Sequence, residues 1–249
     1  MPAKIFEVEG IGRLQIYKRR NNRSIRLSLS SKGEVRVSLP HYLPYQAALS
    51  FAKTHKGWIE KHRPASSSLL KSGDRIGKAH QLRFKVVDSS RIRISVKNSE
   101  VTVHMPQGVD AFNKQAQLAA ERGAKKALKL EAETLLPQRL HSLASKYEFK
   151  FNSVQVRQLS SKWGSCSQNH DITLNYYLMQ LPWQMIDYVL IHELVHTEFL
   201  SHGKDFWQRF ESILPEAKKI RKLLKTYRTE VISSTLRSSP NTVLTEDGL

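Results

Sequence analysis

The chain has 249 residues and carries 40 Lys and Arg against 22 Asp and Glu, a formal net charge of +18. That length suits one large domain or two modest ones, and 40% hydrophobic residues with a mean hydropathy of −0.45 exclude a wholly disordered chain. No run of about 18 apolar residues occurs, so no membrane-spanning helix is expected, and Met1 to Glu7 lacks the apolar stretch of a secretory signal.

In chain order, the charge surplus comes first. Between Arg13 and Arg36 eight basic residues face one acid, Glu34. A surplus of this kind favours a polyanion, either nucleic acid or a nucleotide, as a partner. Ile25-Arg26-Leu27-Ser28-Leu29 and Val35-Arg36-Val37-Ser38-Leu39 alternate in period two. They predict two half-buried strands, one face apolar and the other basic, with a turn at Ser31-Lys32-Gly33. Pro40 ends the second strand, and Tyr45 to Lys61 predicts a helix with Ala48, Phe51, Ala52, Trp58 and Ile59 on its apolar side. Ile92 to Val96 and Glu100 to Pro106 repeat this pattern at an offset of about 66 residues, Glu34 to Glu100, and a helix from about Asp110 to Leu143 follows. A duplicated strand–turn–strand–Pro–helix unit and the chance recurrence of a common hairpin both account for this. Pro64 to Ser68 reads as a short linker.

The chemistry is concentrated further on. Pro182 at a first helical position, followed by an unbroken helix-compatible run, predicts a helix of about 18 residues. On it His192-Glu193-x-x-His196 matches the HExxH zinc signature. At about 100° per residue, His196 lies about 40° around the helix from His192 and one turn along it, so both imidazoles reach one ion. Glu193 falls on the same arc and reaches a metal-bound water without ligating the metal. A third ligand is needed, and His202 is the candidate. On a continued helix it would stand about 9 Å too far along, so the helix must end between His196 and His202. Ser201-His202-Gly203 offers the turn. The spacing equals that of the metzincins, but Phe199 occupies their glycine position and places the turn later.

Leu159-x-x-Lys162-Trp163-Gly164-Ser165-Cys166-Ser167, Ile172-x-Leu174-Asn175, Pro182, Asp187 to His196 and His202-Gly203-x-x-Phe206-Trp207 together resemble the YgjP-like metallopeptidase family, related to the SprT-type and WLM zinc proteases. The specific part covers about residues 157–210. The resemblance implies an α+β fold, with a basic β-rich N-terminal part followed by a zincin-like metallopeptidase domain built on the HExxH helix. It also implies one Zn²⁺ held by His192, His196 and His202, with Glu193 as the catalytic base. The expected organisation is a basic hairpin-and-helix unit over 1–63, a second strand–strand–helix unit over 64–145, a catalytic core over 146–228 and a disordered tail over 229–249.

Around this centre, Trp163, Gly164, Ser165, Asn175 and Tyr176 are candidate substrate-binding residues, because Gly164 permits close backbone approach and an edge strand there would pair with extended peptide. Asn175, Tyr176 and Tyr177 are candidate oxyanion donors, with the core as the competing place for the two tyrosines. Cys166, the only cysteine, excludes an internal disulfide and fits a reducing cytoplasm; it reads as a packed or gating residue, with a nucleophile as the rival role. Phe206, Trp207 and Phe210 are expected to pack under the site, and the cations beyond Pro215, Arg221 among them, to form a solvated helix face. The chemistry expected is peptide hydrolysis in which Glu193 takes a proton from the attacking water and returns it to the leaving group. Two rivals stand beside it: hydrolysis of a phosphoanhydride such as a nucleoside triphosphate, and a protease brought to DNA by its basic N-terminal region.

Overall fold

The computed structural model describes residues 3–29, 34–62, 69–227, 229 and 231. The turn expected at Ser31 to Gly33, the linker at Pro64 to Ser68 and nearly all of the tail over 229–249 lie outside them. The chain divides into two compact units, Met1–Ser68 and Leu69–Leu249, and no helix is long and apolar enough to cross a membrane among the described residues.

The first unit is a four-stranded sheet with two helices. Strands β1 (Lys4–Val8), β2 (Gly12–Arg19), β3 (Arg26–Leu29) and β4 (Val35–Pro40) lie in the order β1-β2-β4-β3. β3 and β4 form the antiparallel pair that the alternation anticipates, with Leu27 opposite Val37. Leu14, Ile16, Val35, Val37 and Leu39 are fully buried, and Arg36 and Ser38 alternate with them on the more open face. β2 is inserted parallel to β4, a pairing that no local pattern signals. The helix expected over Tyr45 to Lys61 is two, α1 (Tyr45–Thr54) and α2 (Lys56–His62). At the break, His55 directs both its backbone N–H and its ring Nδ1–H to the Phe51 carbonyl, so a local side-chain bond takes part in ending the first helix.

The second unit holds two three-stranded sheets and a long helix. β5 (Gln81–Val86), β6 (Arg93–Lys97) and β7 (Glu100–Met105) have the order β5-β7-β6, with β7 parallel to β5 and antiparallel to β6. β8 (Ser153–Arg157), β9 (Gly164–Cys166) and β10 (Asp171–Asn175) repeat that topology as β8-β10-β9. In each, a strand is followed by a hairpin whose second arm returns to pair with it in parallel. Between the sheets in sequence runs α3 (Lys114–Tyr147), 34 residues long. It starts four residues later than expected at Asp110, because Asn113 caps it, its side chain accepting from the Gln115 N–H at 2.8 Å. Ala116, Ala119, Ala120, Ala124, Ala127, Leu128, Leu136 and Leu140 form one buried stripe at helical spacing.

One buried acid ties this scaffold together. Glu131 of α3, 6% exposed, accepts from the backbone N–H groups of Lys78, Ala79 and His80 at 2.6, 3.0 and 3.0 Å, and from His80 Nδ1 at 2.6 Å. The same loop sends Lys78 Nζ to the Leu181 carbonyl and over the Trp183 ring. The segment entering β5 is thereby fixed both to α3 and to the start of the next helix, α4 (Trp183–Val195). α5 (Lys204–Ile213) and α6 (Ala217–Leu224) complete the unit.

Candidate metal centre

α4 is apolar on nearly every side, and ten of its 13 residues are buried, as a helix inside a core must be. Arg139 of α3 anchors it by a two-pronged pair with Asp187, 2.8 and 2.6 Å. The helix is shorter than the 18 residues anticipated. It ends at Val195 with His196 as its C-cap residue, where the Thr197 hydroxyl takes the Leu194 carbonyl at 2.7 Å and competes with continued helix. The chain thus turns at once after His196, ahead of the turn expected at Ser201 to Gly203, and brings His202 back to the helix.

The three imidazoles converge. One ligand atom from each of His192, His196 and His202 lies within 4.8 Å of the others. His192 Nε2 and His202 Nε2 are 3.0 Å apart, close to the roughly 3.3 Å that separates two nitrogens on one tetrahedral ion with bonds of about 2.0–2.1 Å. His196 Nδ1 is 3.0 Å from the Phe199 carbonyl; a carbonyl only accepts, so Nδ1 carries the hydrogen and Nε2 keeps its lone pair. Burial, then the neighbouring His196 and His202, pushes the His192 imidazolium down to about 3, and burial also lowers His196 and His202. All three rings are therefore neutral at pH 7, the state that binds a metal. Phe206, fully buried, packs against each ring with centroids 4.7–5.0 Å away. The donor set and its geometry fit one divalent ion such as zinc.

Glu193, 5% exposed, lies beneath β9. A Cβ added to Gly164 would stand 2.7 Å from Glu193 Oε1 and 2.8 Å from its Cγ, so only glycine lets the strand and the carboxylate come this close. Burial, opposed by the charge of Lys162, raises the Glu193 carboxyl to about 8. A cleft of about 300 Å³ opens over these groups. One wall is the stretch from Lys162 to Cys166, and the other is Tyr188, Val189, His192 and Glu193 of α4, with His196, Leu200, His202 and Leu224 closing the ends.

Trp163, Gly164 and Ser165 line this cleft as the sequence suggested, but Asn175 and Tyr176 do not. Asn175 is fully buried and its side chain is spent: Nδ2 donates to the Leu159 and Lys162 carbonyls, both at 2.8 Å, and Oδ1 accepts from the Tyr177 N–H. It holds the loop before β9 and offers no donor to a ligand. The Tyr176 hydroxyl is turned to Gln158 at 2.9 Å, and Tyr177 is core, 2% exposed. Cys166 lines the cleft, yet burial, then Glu193, raises its thiol to about 11, which suits a packed wall and not a nucleophile. Arg221 is not on a simple solvated face, since its guanidinium lies 5.1 Å from the Trp207 ring centroid and its Nε is buried. Tyr188, Val189 and Leu224 were missed because apolar periodicity marks them only as core.

The family model described as YgjP-like, metallopeptidase domain, matches residues 23–227. Among solved structures, the chain is similar to the metallopeptidase zymogen abylysin of Pyrococcus abyssi, at 28% identity over 39% of this chain and 100% of that one, with a TM-score of 0.34. It is also similar to the zymogen jannalysin of Methanocaldococcus jannaschii, at 17% identity over 34% of this chain and 89% of that one, with a TM-score of 0.32. No curated protein matches.

Proposed function

The chain belongs to the YgjP-like metallopeptidase family, and from that premise we propose that it is a zinc-dependent peptidase. His192, His196 and His202 would hold a single ion, and Glu193 would serve as the general base. The observation that carries this reading is the meeting of three neutral imidazoles with a buried carboxyl in one cleft. Zn²⁺, when bound, supplies a Lewis acid that acidifies water and polarises a carbonyl.

The chain's own groups do the rest. The Phe199 carbonyl fixes the ring of His196 through Nδ1–H, and Phe206 packs the three rings in place. Glu193 sits in low dielectric, which raises its carboxyl to about 8; beside a divalent ion held by the histidines the carboxylate would be favoured, and that form would take the proton and pass it to the leaving amine. β9 is an edge strand of its sheet, paired only with β10 among the described residues. Trp163, Gly164 and Ser165 would therefore receive the peptide as an added strand beside Glu193. The lone Cys166 suits a reducing, cytoplasmic setting.

The test is cleavage of a peptide library by the zinc-loaded protein, read by mass spectrometry, with nucleoside triphosphates included as the rival substrates. Glu193→Gln is expected to keep its zinc and lose about 10²–10⁴-fold in rate. Full peptidase activity in that variant, or turnover of triphosphates alone, contradicts the reading.

A further inference from the structure

Tyr188 Oη, His192 Nδ1 and Arg221 Nε are buried with no hydrogen-bond partner among the described residues. They belong to neighbouring side chains. Tyr188 and His192 stand one helical turn apart with stacked rings, centroids 6.1 Å. Arg221 reaches over from α6, packed on Trp207, and its charge is felt by Tyr188, His192 and His202. Tyr188 and His192 line the cleft beside the apolar Val189 and Leu224.

The three atoms share one character. The Arg221 Nε–H is always a donor, and His192 Nδ1 carries the ring hydrogen when Nε2 is turned toward His202. The Tyr188 hydroxyl, an un-ionised phenol, can donate as well. No acid is among the charged groups that act on Tyr188 or His192. Desolvated donors beside a cation, with no acceptor supplied by the fold, call for an anionic oxygen. Val189 and Leu224 add an apolar collar that suits a short aliphatic stem.

We propose that the Tyr188 side of the cleft is a subsite for a carboxylate of the bound peptide, with the Tyr188 hydroxyl as its donor and Arg221, packed on Trp207 outside the cleft lining, as the countercharge. The proposal rests on the peptidase reading above and adds a substrate class to it. The carboxylate has two sources, an acidic side chain or the end of the peptide chain.

The experiment uses the zinc-loaded Glu193→Gln protein, immobilised, so that binding is read without cleavage. Three random hexapeptide pools are offered together: amidated peptides with one Glu, the same with Gln in its place, and the Gln pool with a free C-terminus. Retained peptides are counted by mass spectrometry. At least one carboxylate pool is expected to be enriched about tenfold over the neutral pool, and which one identifies the source. Adding Tyr188→Phe or Arg221→Met should reduce that enrichment severalfold, and Tyr188→Phe, which removes an unpartnered hydroxyl, should leave the melting temperature unchanged. Equal retention of all pools, as expected if a buried water alone meets these donors, overturns the subsite. So does retention of none, or enrichment that survives both substitutions. The peptidase reading is tested apart, by whether cleavage in the wild type depends on Glu193; a Glu193-dependent peptidase without carboxylate enrichment refutes the subsite alone.

Discussion

The sheets β5-β7-β6 and β8-β10-β9 have one topology and both pack on α3, yet only the second borders the candidate metal centre. In the first, β6 and β7 are full strands of five and six residues, and the hairpin leads directly into α3. Gly123 of that helix sits where a Cβ would stand 2.6 Å from Val101 Cγ1, so the close contact serves packing. In the second, β9 has three residues and its Gly164 makes the equivalent close contact with the carboxylate of Glu193. The same device, a missing Cβ, closes a core in one place and opens room for a reactive group in the other. What sets the second sheet apart is a shortened edge strand over an apolar helix that carries His192 and Glu193, with the sheet topology unchanged.

The sharpest way to break that comparison is a pair of matched substitutions. Gly164→Ala drives a methyl group into Glu193 and is expected to lower kcat by about 10²-fold with zinc content unchanged. Gly123→Ala should instead cost about 1–3 kcal/mol of stability and leave the activity per folded molecule intact. Urea denaturation alongside initial rates separates the two, and equal losses of activity would end the distinction. Next in size is Glu131→Gln, which puts an amide donor against three backbone N–H groups. It should lower stability by about 2–3 kcal/mol, seen as a lower urea midpoint.

A smaller effect sits at the far end of the second sheet. Asp171 accepts from Ser153 at 2.6 Å and Asn152 at 2.8 Å, which hold its carboxyl below 3.8. A depressed carboxyl adds stability that is present above its unfolded pKa and is lost as pH falls through the folded one. Asp171→Asn should therefore be slightly less stable at neutral pH and should lose less than wild type on acidification below about pH 4. Smallest of all, Cys166→Ser should leave activity within a factor of about two, and the Cys166 thiol, raised to about 11, should alkylate at pH 8 far more slowly than a free thiol. Rapid labelling accompanied by loss of activity would return Cys166 to the chemistry.

What the residues disclose in advance follows the range of the interactions. One helical turn is enough to bring His192 and His196 together, and period-two alternation is enough for the β3–β4 and β6–β7 hairpins. Parallel insertion of β2, β5 and β8 depends on partners at least 18 residues away, such as Ser153 with Asp171, and leaves no local signature. α4 ends earlier than its apolar pattern predicts because Thr197 acts through a side-chain bond that apolar periodicity does not weigh. Asn175 fits an oxyanion site by residue type for a similar reason, but the Leu159 and Lys162 carbonyls claim its amide first. Glu131, buried on a helix that reads as a run of alanines, was invisible without the loop over Lys78 to His80.

X-ray absorption at the zinc edge of the loaded protein tests the central claim most directly. The account predicts one ion per chain with three imidazole nitrogens at about 2.0–2.1 Å and no sulfur, and loss of one nitrogen in His202→Ala. A sulfur at about 2.3 Å, which only Cys166 or a methionine could supply, or a spectrum that ignores the loss of His202, would contradict it.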